Sequence, residues 1–290
     1  MSLQSTNGDE VQTPPWPMHA ELLEMELVES TPADATAWAE FKGLERPIAI
    51  VRRRASAPAA DDFRATTGRI RLLAVAATPE EHADAIDRTQ TWLDATAASG
   101  AAPSLLLTLH GAKIVWRPGR VAVFAPADRL ESVLRSILEA SAYEAELSAL
   151  ESLLDAGWKQ VHDDARMAFD FGERDVRRRA SLAAKFQELV GLRSRFVRLA
   201  PSVLAPHVYP PTLASQVAER LRERTRMHER LELLEGKLEA QERVYELCGQ
   251  RSSEFMLGRT GHHLEWAIII LLLAQTTLLV VEFLSYVGTS

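Results

Sequence analysis

Between Trp266 and Tyr286 the chain reads WAIIILLLAQTTLLVVEFLSY, 21 residues in which Glu282 is the sole formal charge. A helix of that length rises about 30 Å, the thickness of a bilayer's hydrocarbon core. Twelve of the 21 are Ile, Leu, Val or Phe, and near the helix centre such residues together favour insertion by roughly 5 kcal/mol. Gln275, Thr276 and Thr277 fall near the midplane, where polar groups serve helix pairing, and Glu282 lies one turn from Tyr286, close enough to reach the interface. Trp266 and Tyr286 bracket the run as interfacial aromatics do. The sequence therefore predicts a transmembrane helix over 264–287. The blander alternative is a buried core helix.

The flanks predict an orientation. Arg251, Arg259, His262 and His263 precede the run, whereas Val287 to Ser290 carry no base. The positive-inside rule then places the rest of the chain, with its N-terminus, in the cytoplasm, as a single-pass tail-anchored membrane protein. Met1 to Gln12 is polar and acidic, unlike a secretory signal or a transit peptide.

Composition narrows the class further. At 47% apolar, 25% charged and 7% aromatic residues, collagenous, wholly disordered and disulfide-scaffold chains are excluded. The net charge of −7 resides in residues 1–50, where nine acids face only Lys42 and Arg46. The remainder balances, so the totals do not describe a globally basic nucleic-acid binder. Cys248 has no second cysteine to pair with, and a small buried filler in a reducing compartment is a simpler reading than a reactive thiol.

Ahead of the span the pattern suggests an α+β part followed by a helical hairpin or stalk. Residues 1–18, with Pro14, Pro15 and Pro17, read as a disordered lead-in, and 19–126 as an α+β domain. Strand-like runs cover Ala20–Glu29, Pro47–Arg53, Arg69–Ala77, Ser104–His110, Lys113–Arg117 and Arg120–Ala125, and helices are expected over Ala33–Lys42 and Pro79–Ala98. His110–Gly111 and Pro118–Gly119 are the expected turns.

From 127 to 200 the period changes to 3.6, with Leu130, Val133, Leu134, Ile137, Leu138, Leu147, Leu150, Leu153 and Leu154 on one stripe. A break is expected near Gly157–Gly172, a second helical run over Glu173–Leu199, and an end at Pro201. The stalk, 201–263, restarts at Thr212 and is expected to stay helical to Leu257. Its heptad seam runs through Val217, Arg224, Leu231, Leu238 and Tyr245 on one position and Leu213, Arg220, Met227, Leu234, Gln241 and Cys248 on the other. That seam suits either a coiled coil between copies or an antiparallel hairpin against Glu173–Leu199.

Chemical signatures are sparse. No phosphate loop, dinucleotide fingerprint, nucleophile elbow, CxxC or HExxH occurs, so no catalytic set, metal, cofactor or small-molecule substrate is expected. His262, His263 and Glu265 resemble ligands superficially, but adjacent helical histidines point about 100° apart. Asp163, Asp164 and Asp170 near His162 form either a carboxylate site or a polar linker. More suggestive is the basic stretch Glu173–Arg198, in which Arg177, Arg178, Arg179, Arg193 and Arg195 could meet RNA phosphates, anionic lipid headgroups or the acidic N-terminal segment. Arg52, Arg53 and Arg54 read as a solvated strand end.

The run His263-Leu264-Glu265-Trp266-Ala267-Ile268-Ile269-Ile270-Leu271-Leu272, with Arg230-Leu231-Glu232-Leu233-Leu234-Glu235-Gly236-Lys237-Leu238-Glu239 upstream, resembles the "required for meiotic nuclear division" (RMND, or YagE) family. Gln275 stands where that family usually has an acid, Glu235 where it has Asn and Ala267 where it has Ile, whereas Glu282 matches a second acid. The resemblance implies an α+β part, a helical part and a C-terminal membrane helix in an oligomeric, membrane-tethered scaffold. Mitochondrial members tether ribosomes near the inner membrane. The leading expectation is thus a non-enzymatic scaffold that self-associates and presents its α+β part to a partner. The alternatives are a ribosome or RNA tether and a membrane-anchored hydrolase.

Overall fold

The computed structural model describes residues 20–28, 37–41, 44, 48–54, 69–76, 83–95, 103–205 and 212–288. Its strands are β1 (Glu21–Val28), β2 (Ala37–Phe41), β3 (Ile48–Arg54), β4 (Arg69–Ala76), β5 (Leu105–Leu109), β6 (Ala112–Arg117) and β7 (Arg120–Ala125). Among the described residues they form a seven-stranded sheet in the order β2-β3-β1-β4-β7-β6-β5. Every pairing is antiparallel except β4 with β7. A parallel pair needs a crossover, and α1 (Ala83–Ala95) lies within it.

The sheet is covered on both faces. Ile86 and Leu93 of α1 pack with Leu73, Val75, Val115, Ala122 and Phe124. On the opposite face, Trp116 donates from Nε1 to Ser141 Oγ of α2 (Ala127–Asp164) at 2.9 Å. Double coverage explains why β7, RVAVFA, is buried along its whole length. The β5–β6 hairpin closes through His110 and Gly111, both at positive φ (36° and 81°), as a two-residue turn matched to strand twist requires.

After α2 come 3-10 turns at Ala165–Ala168 and Glu173–Arg178, then α3 (Arg179–Val203), α4 (Leu213–Arg224) and α5 (Met227–Gly288). The architecture is the α+β part, helical segments and long apolar last helix that the sequence implies. Four local expectations are corrected. Ala37–Phe41, expected inside a helix, is a strand, because pairing with β3 outweighs the helix propensity of its alanines; a register shift between Ala37 and Ala39 bends this edge strand. Helix α2 runs through Gly157 to Asp164, since Leu154 and Val161 on either side of that glycine are buried. Pro201 lies inside α3, two residues before its end. The stalk is divided at Thr225–Arg226, and α5 then continues past Leu257 as one 62-residue helix. The expected lead-in over 1–18, Pro79, and the prolines at 206, 210 and 211 lie outside the described residues.

The chain forms two compact units, Met1–Glu151 with Arg195–Leu234, and Ser152–Ser194 with Glu235–Ser290. In the first, Arg230 of α5 donates to Glu151 at 2.7 and 2.8 Å and to Ser148 at 2.7 Å, which binds α5 to α2. In the second, α2 and α5 run parallel, because Lys237 meets Asp155 and Tyr245 meets Asp164. There α3 is antiparallel to α5, with Arg193 on Glu242 at 3.2 Å and Glu173 on Arg259 at 2.7 Å.

Candidate functional site

The feature that sets α5 apart is apolar surface with nothing over it. Leu264, Trp266, Ile268, Ile269, Ile270, Leu271, Leu272, Leu273, Leu278, Leu279 and Val280 are all exposed, and none of the most apolar 18-residue window is buried. The heptad-seam residues of the same helix, Met227, Leu231, Leu234, Leu238 and Tyr245, are buried, as is Val217 of α4. One helix thus carries two regimes, an amphipathic half packed inside each unit and an apolar half facing outward all round. By length and composition this end is a candidate membrane span.

The polar groups of the apolar half are arranged unequally. Thr276 donates to the Leu272 and Leu273 carbonyls at 2.9 Å, and Thr277 to that of Leu273. The Gln275 amide has no hydrogen-bond partner among the described residues. At the near end Trp266 Nε1 donates to His262 Nε2 at 3.1 Å, and His262 Nδ1 lies 3.5 Å from Glu265. This links His262 and Glu265 to Trp266, and among the described residues no group of three or more His, Cys, Asp or Glu is placed to hold a metal ion. Glu282 and Tyr286 lie on the helix, their side chains outside the described residues.

The five arginines singled out as phosphate contacts are used differently. Arg178 donates to Asp164 at 2.5 Å, Arg193 meets Glu235 and Glu242 at 3.8 and 3.2 Å, and Arg195 meets Glu146 at 2.8 Å. Arg177 and Arg179 are exposed and have no ion pair among the described residues, as is also true of Arg174. The aspartates likewise separate. Asp164, with its side chain 3% exposed, accepts from Arg178 and from the Tyr245 hydroxyl, whereas Asp170 is exposed on an ion pair with Arg166 and Asp163 faces solvent. No convergent carboxylate pair results. Burial, and after it the Asp164 charge, push the Cys248 thiol above its ordinary pKa, so this buried cysteine is a poor nucleophile. Arg52, Arg53 and Arg54 belong to β3.

One constellation escapes sequence reading. Arg71, Arg120 and Arg117 stand directly opposite one another on β4, β7 and β6, which puts three guanidinium groups on the α1 face. Asp94 of α1 meets Arg117 at 3.3 Å while accepting from the Ser104 N–H at 2.8 Å, and Glu24 lies 3.8 Å from Arg71. Burial, then Arg117 and Arg71, lower the Arg120 pKa. Only the Arg117-Pro118-Gly119-Arg120 turn announces this row, and it shows two of the three.

No protein family matches the chain, and no curated protein does. Among solved structures it aligns with the full-length CmaX protein at 12% identity and a TM-score of 0.36, over 87% of this chain and 82% of that one. No function is carried over from that likeness.

Proposed function

We propose that this chain is a single-pass membrane protein, a scaffold held in the bilayer by the apolar half of α5, which displays its α+β part to a partner and self-associates through its membrane helix. The carrying observation is the unburied stretch from Leu264 to Val280. Exposed to water, its apolar side chains would cost roughly 1.5 kcal/mol or more each, a penalty that lipid removes. Arg251 and Arg259 ahead of the stretch favour the cytoplasmic side for the body. The "Leu-Glu-Trp" approach to the apolar run, Leu264 to Trp266, supports kinship with the required for meiotic nuclear division family.

Alkaline carbonate extraction tests the anchor. The full chain stays in the membrane pellet and is released by detergent, whereas a chain ending at His263 moves to the supernatant. Recovery of the full chain in the aqueous fraction without detergent would overturn the reading.

A further inference from the structure

Helix α5 loses its support within a few residues. Up to Phe255 it is held on the rest of its unit: Tyr245, Cys248 and Ser252 are buried, and the rings of Phe171 and Phe255 lie 5.9 Å apart. Arg259 still reaches Glu173 at 2.7 Å, but an ion pair between exposed groups contributes little. From 262 to 280 every side chain is exposed, and Trp266, Thr276 and Thr277 donate within α5 itself. Between the last packed turn and the apolar half stands a short piece of helix, 258–261, that has little beside it.

That piece is also intrinsically weak. Gly258 and Gly261 lie three residues apart, and glycine opens a helix interior more readily than any residue except proline. Close packing requires neither, because a Cβ at either position would meet nothing within 4 Å among the described residues. Between them Thr260 turns its hydroxyl back onto the Met256 carbonyl at 2.9 Å, a bond that competes with the backbone ladder and bends helices. Gly249 and Ser253 repeat this chemistry about two turns earlier, the Ser253 hydroxyl donating to the Gly249 carbonyl at 3.0 Å. There, however, the buried Cys248 and Ser252 hold the helix in place. Along the described length of α5, weakness and lack of support coincide at 258–261.

We propose that 258–261 is a hinge, at which the packed part of α5 swings relative to the bilayer while the apolar half stays in place. The inference rests on the membrane reading of α5. The helix is continuous through the segment, so bending opens one or two of the backbone bonds that cross it, and two glycines in place of alanines raise the population of open forms roughly tenfold or more. The hinge has firm edges. On the membrane side the Trp266 indole donates to His262 at 3.1 Å and braces the first turn of the apolar half. On the other side the Phe171–Phe255 contact closes the packed part. The Arg259–Glu173 pair crosses the segment as a latch, and salt weakens it because both groups are exposed. Two nearby glycines would also suit close approach of a second copy. Bending is favoured because they lie ahead of the apolar half, on either side of Arg259 and of the back-bonded Thr260. Such a hinge lets an anchored chain present what precedes it at a range of angles to the bilayer.

The test measures distances between two spin labels on the full chain in phosphatidylcholine nanodiscs, with unlabelled chain in excess so that a disc holds at most one labelled copy. Glu254→Cys with Leu272→Cys straddles the segment, 18 residues apart and about 27 Å along a straight helix. Glu239→Cys with Glu254→Cys, 15 residues apart and about 23 Å, lies ahead of it as a reference, and a chain carrying only the buried Cys248 sets the background. With the native glycines the straddling pair gives a distribution about twofold broader than the reference, with distances reaching below the straight-helix value. Gly258→Ala with Gly261→Ala narrows it to the width of the reference. The reference pair itself is the same in both chains, which separates stiffening from misfolding. A narrow distribution with the native glycines, or one that the two alanines leave unchanged, overturns the hinge alone. A chain that fails to enter the discs overturns the membrane reading with it. If the alanines weaken energy transfer between copies while the width stays unchanged, the glycines serve packing of a second copy and the inference fails.

Discussion

Tyr143 donates to Glu139 Oε1 at 2.9 Å, one turn earlier on α2, from a buried position. Burial first, then the Glu139 charge and the hydrogen bond to it, push its pKa from the ordinary 10.0 up to about 12. A folded-state pKa above the unfolded value means that the native chain holds the proton longer, so the contribution is present in full below pH 10 and is lost as pH rises from there through about 12. The linkage amounts to about 3 kcal/mol at most. Tyr143→Phe removes it. The variant is therefore less stable than wild type by about 1 kcal/mol at pH 9, and the difference shrinks or reverses by pH 12. Denaturant unfolding of the detergent-solubilised chain at the two values checks this; a gap that widens with pH would contradict it. Tyr245 follows the same logic through Asp164, its pKa raised by burial, then by the Asp164 charge and the hydrogen bond to it. Both tyrosines thus depend on carboxylates of α2, the helix that each unit shares with its neighbours in sequence.

At the scale of elements, the junction of α4 and α5 is held by a residue poorly suited to it. Arg226 follows the Thr225 C-cap at φ 51°, in the left-handed region where a Cβ is strained. Its ion pair with Glu229, 3.7 Å between two exposed groups, contributes little. Arg226→Gly is expected to raise stability by about 0.5–1 kcal/mol, seen as a melting temperature a few degrees higher; a fall would mean that the ion pair matters more than the backbone. This junction also shows where sequence reading stops. Strands such as β6 and β7 were legible because short apolar runs lie between Gly-containing turns. The helix expected over Ala33–Lys42 failed at Ala37–Phe41 because partner strands decide a short alanine-rich segment, and the continuous stalk failed because no glycine or proline marks the break at Thr225–Arg226. For the site the division is similar. The apolar half of α5 stands out as a contiguous run, whereas the row of Arg71, Arg120 and Arg117 depends on the parallel pairing of β4 with β7, which no local pattern encodes.

For the whole molecule, assembly is constrained by what the fold has already covered. The heptad seam offers two partners, and its apolar side chains, from Val217 to Tyr245, are buried within one chain. A coiled coil between copies through those residues would have to open the units first. On the proposed membrane reading, the surface left to a second copy is the apolar half of α5. Its threonine hydroxyls are satisfied by their own helix, which leaves the Gln275 amide, near the midplane, to hydrogen-bond across two copies. Such bonds contribute about 0.6 kcal/mol on average in membrane proteins, so Gln275→Leu weakens self-association about threefold. Thr276→Val, by contrast, leaves it nearly unchanged, because that hydroxyl makes no bond to a neighbour. Energy transfer between labelled copies in liposomes, followed as lipid is added to dilute the protein, separates the two variants. Equal loss in both would place the pairing face at the threonines, and a wild-type chain that stays monomeric at every dilution would remove self-association from the proposed function while leaving the anchor standing.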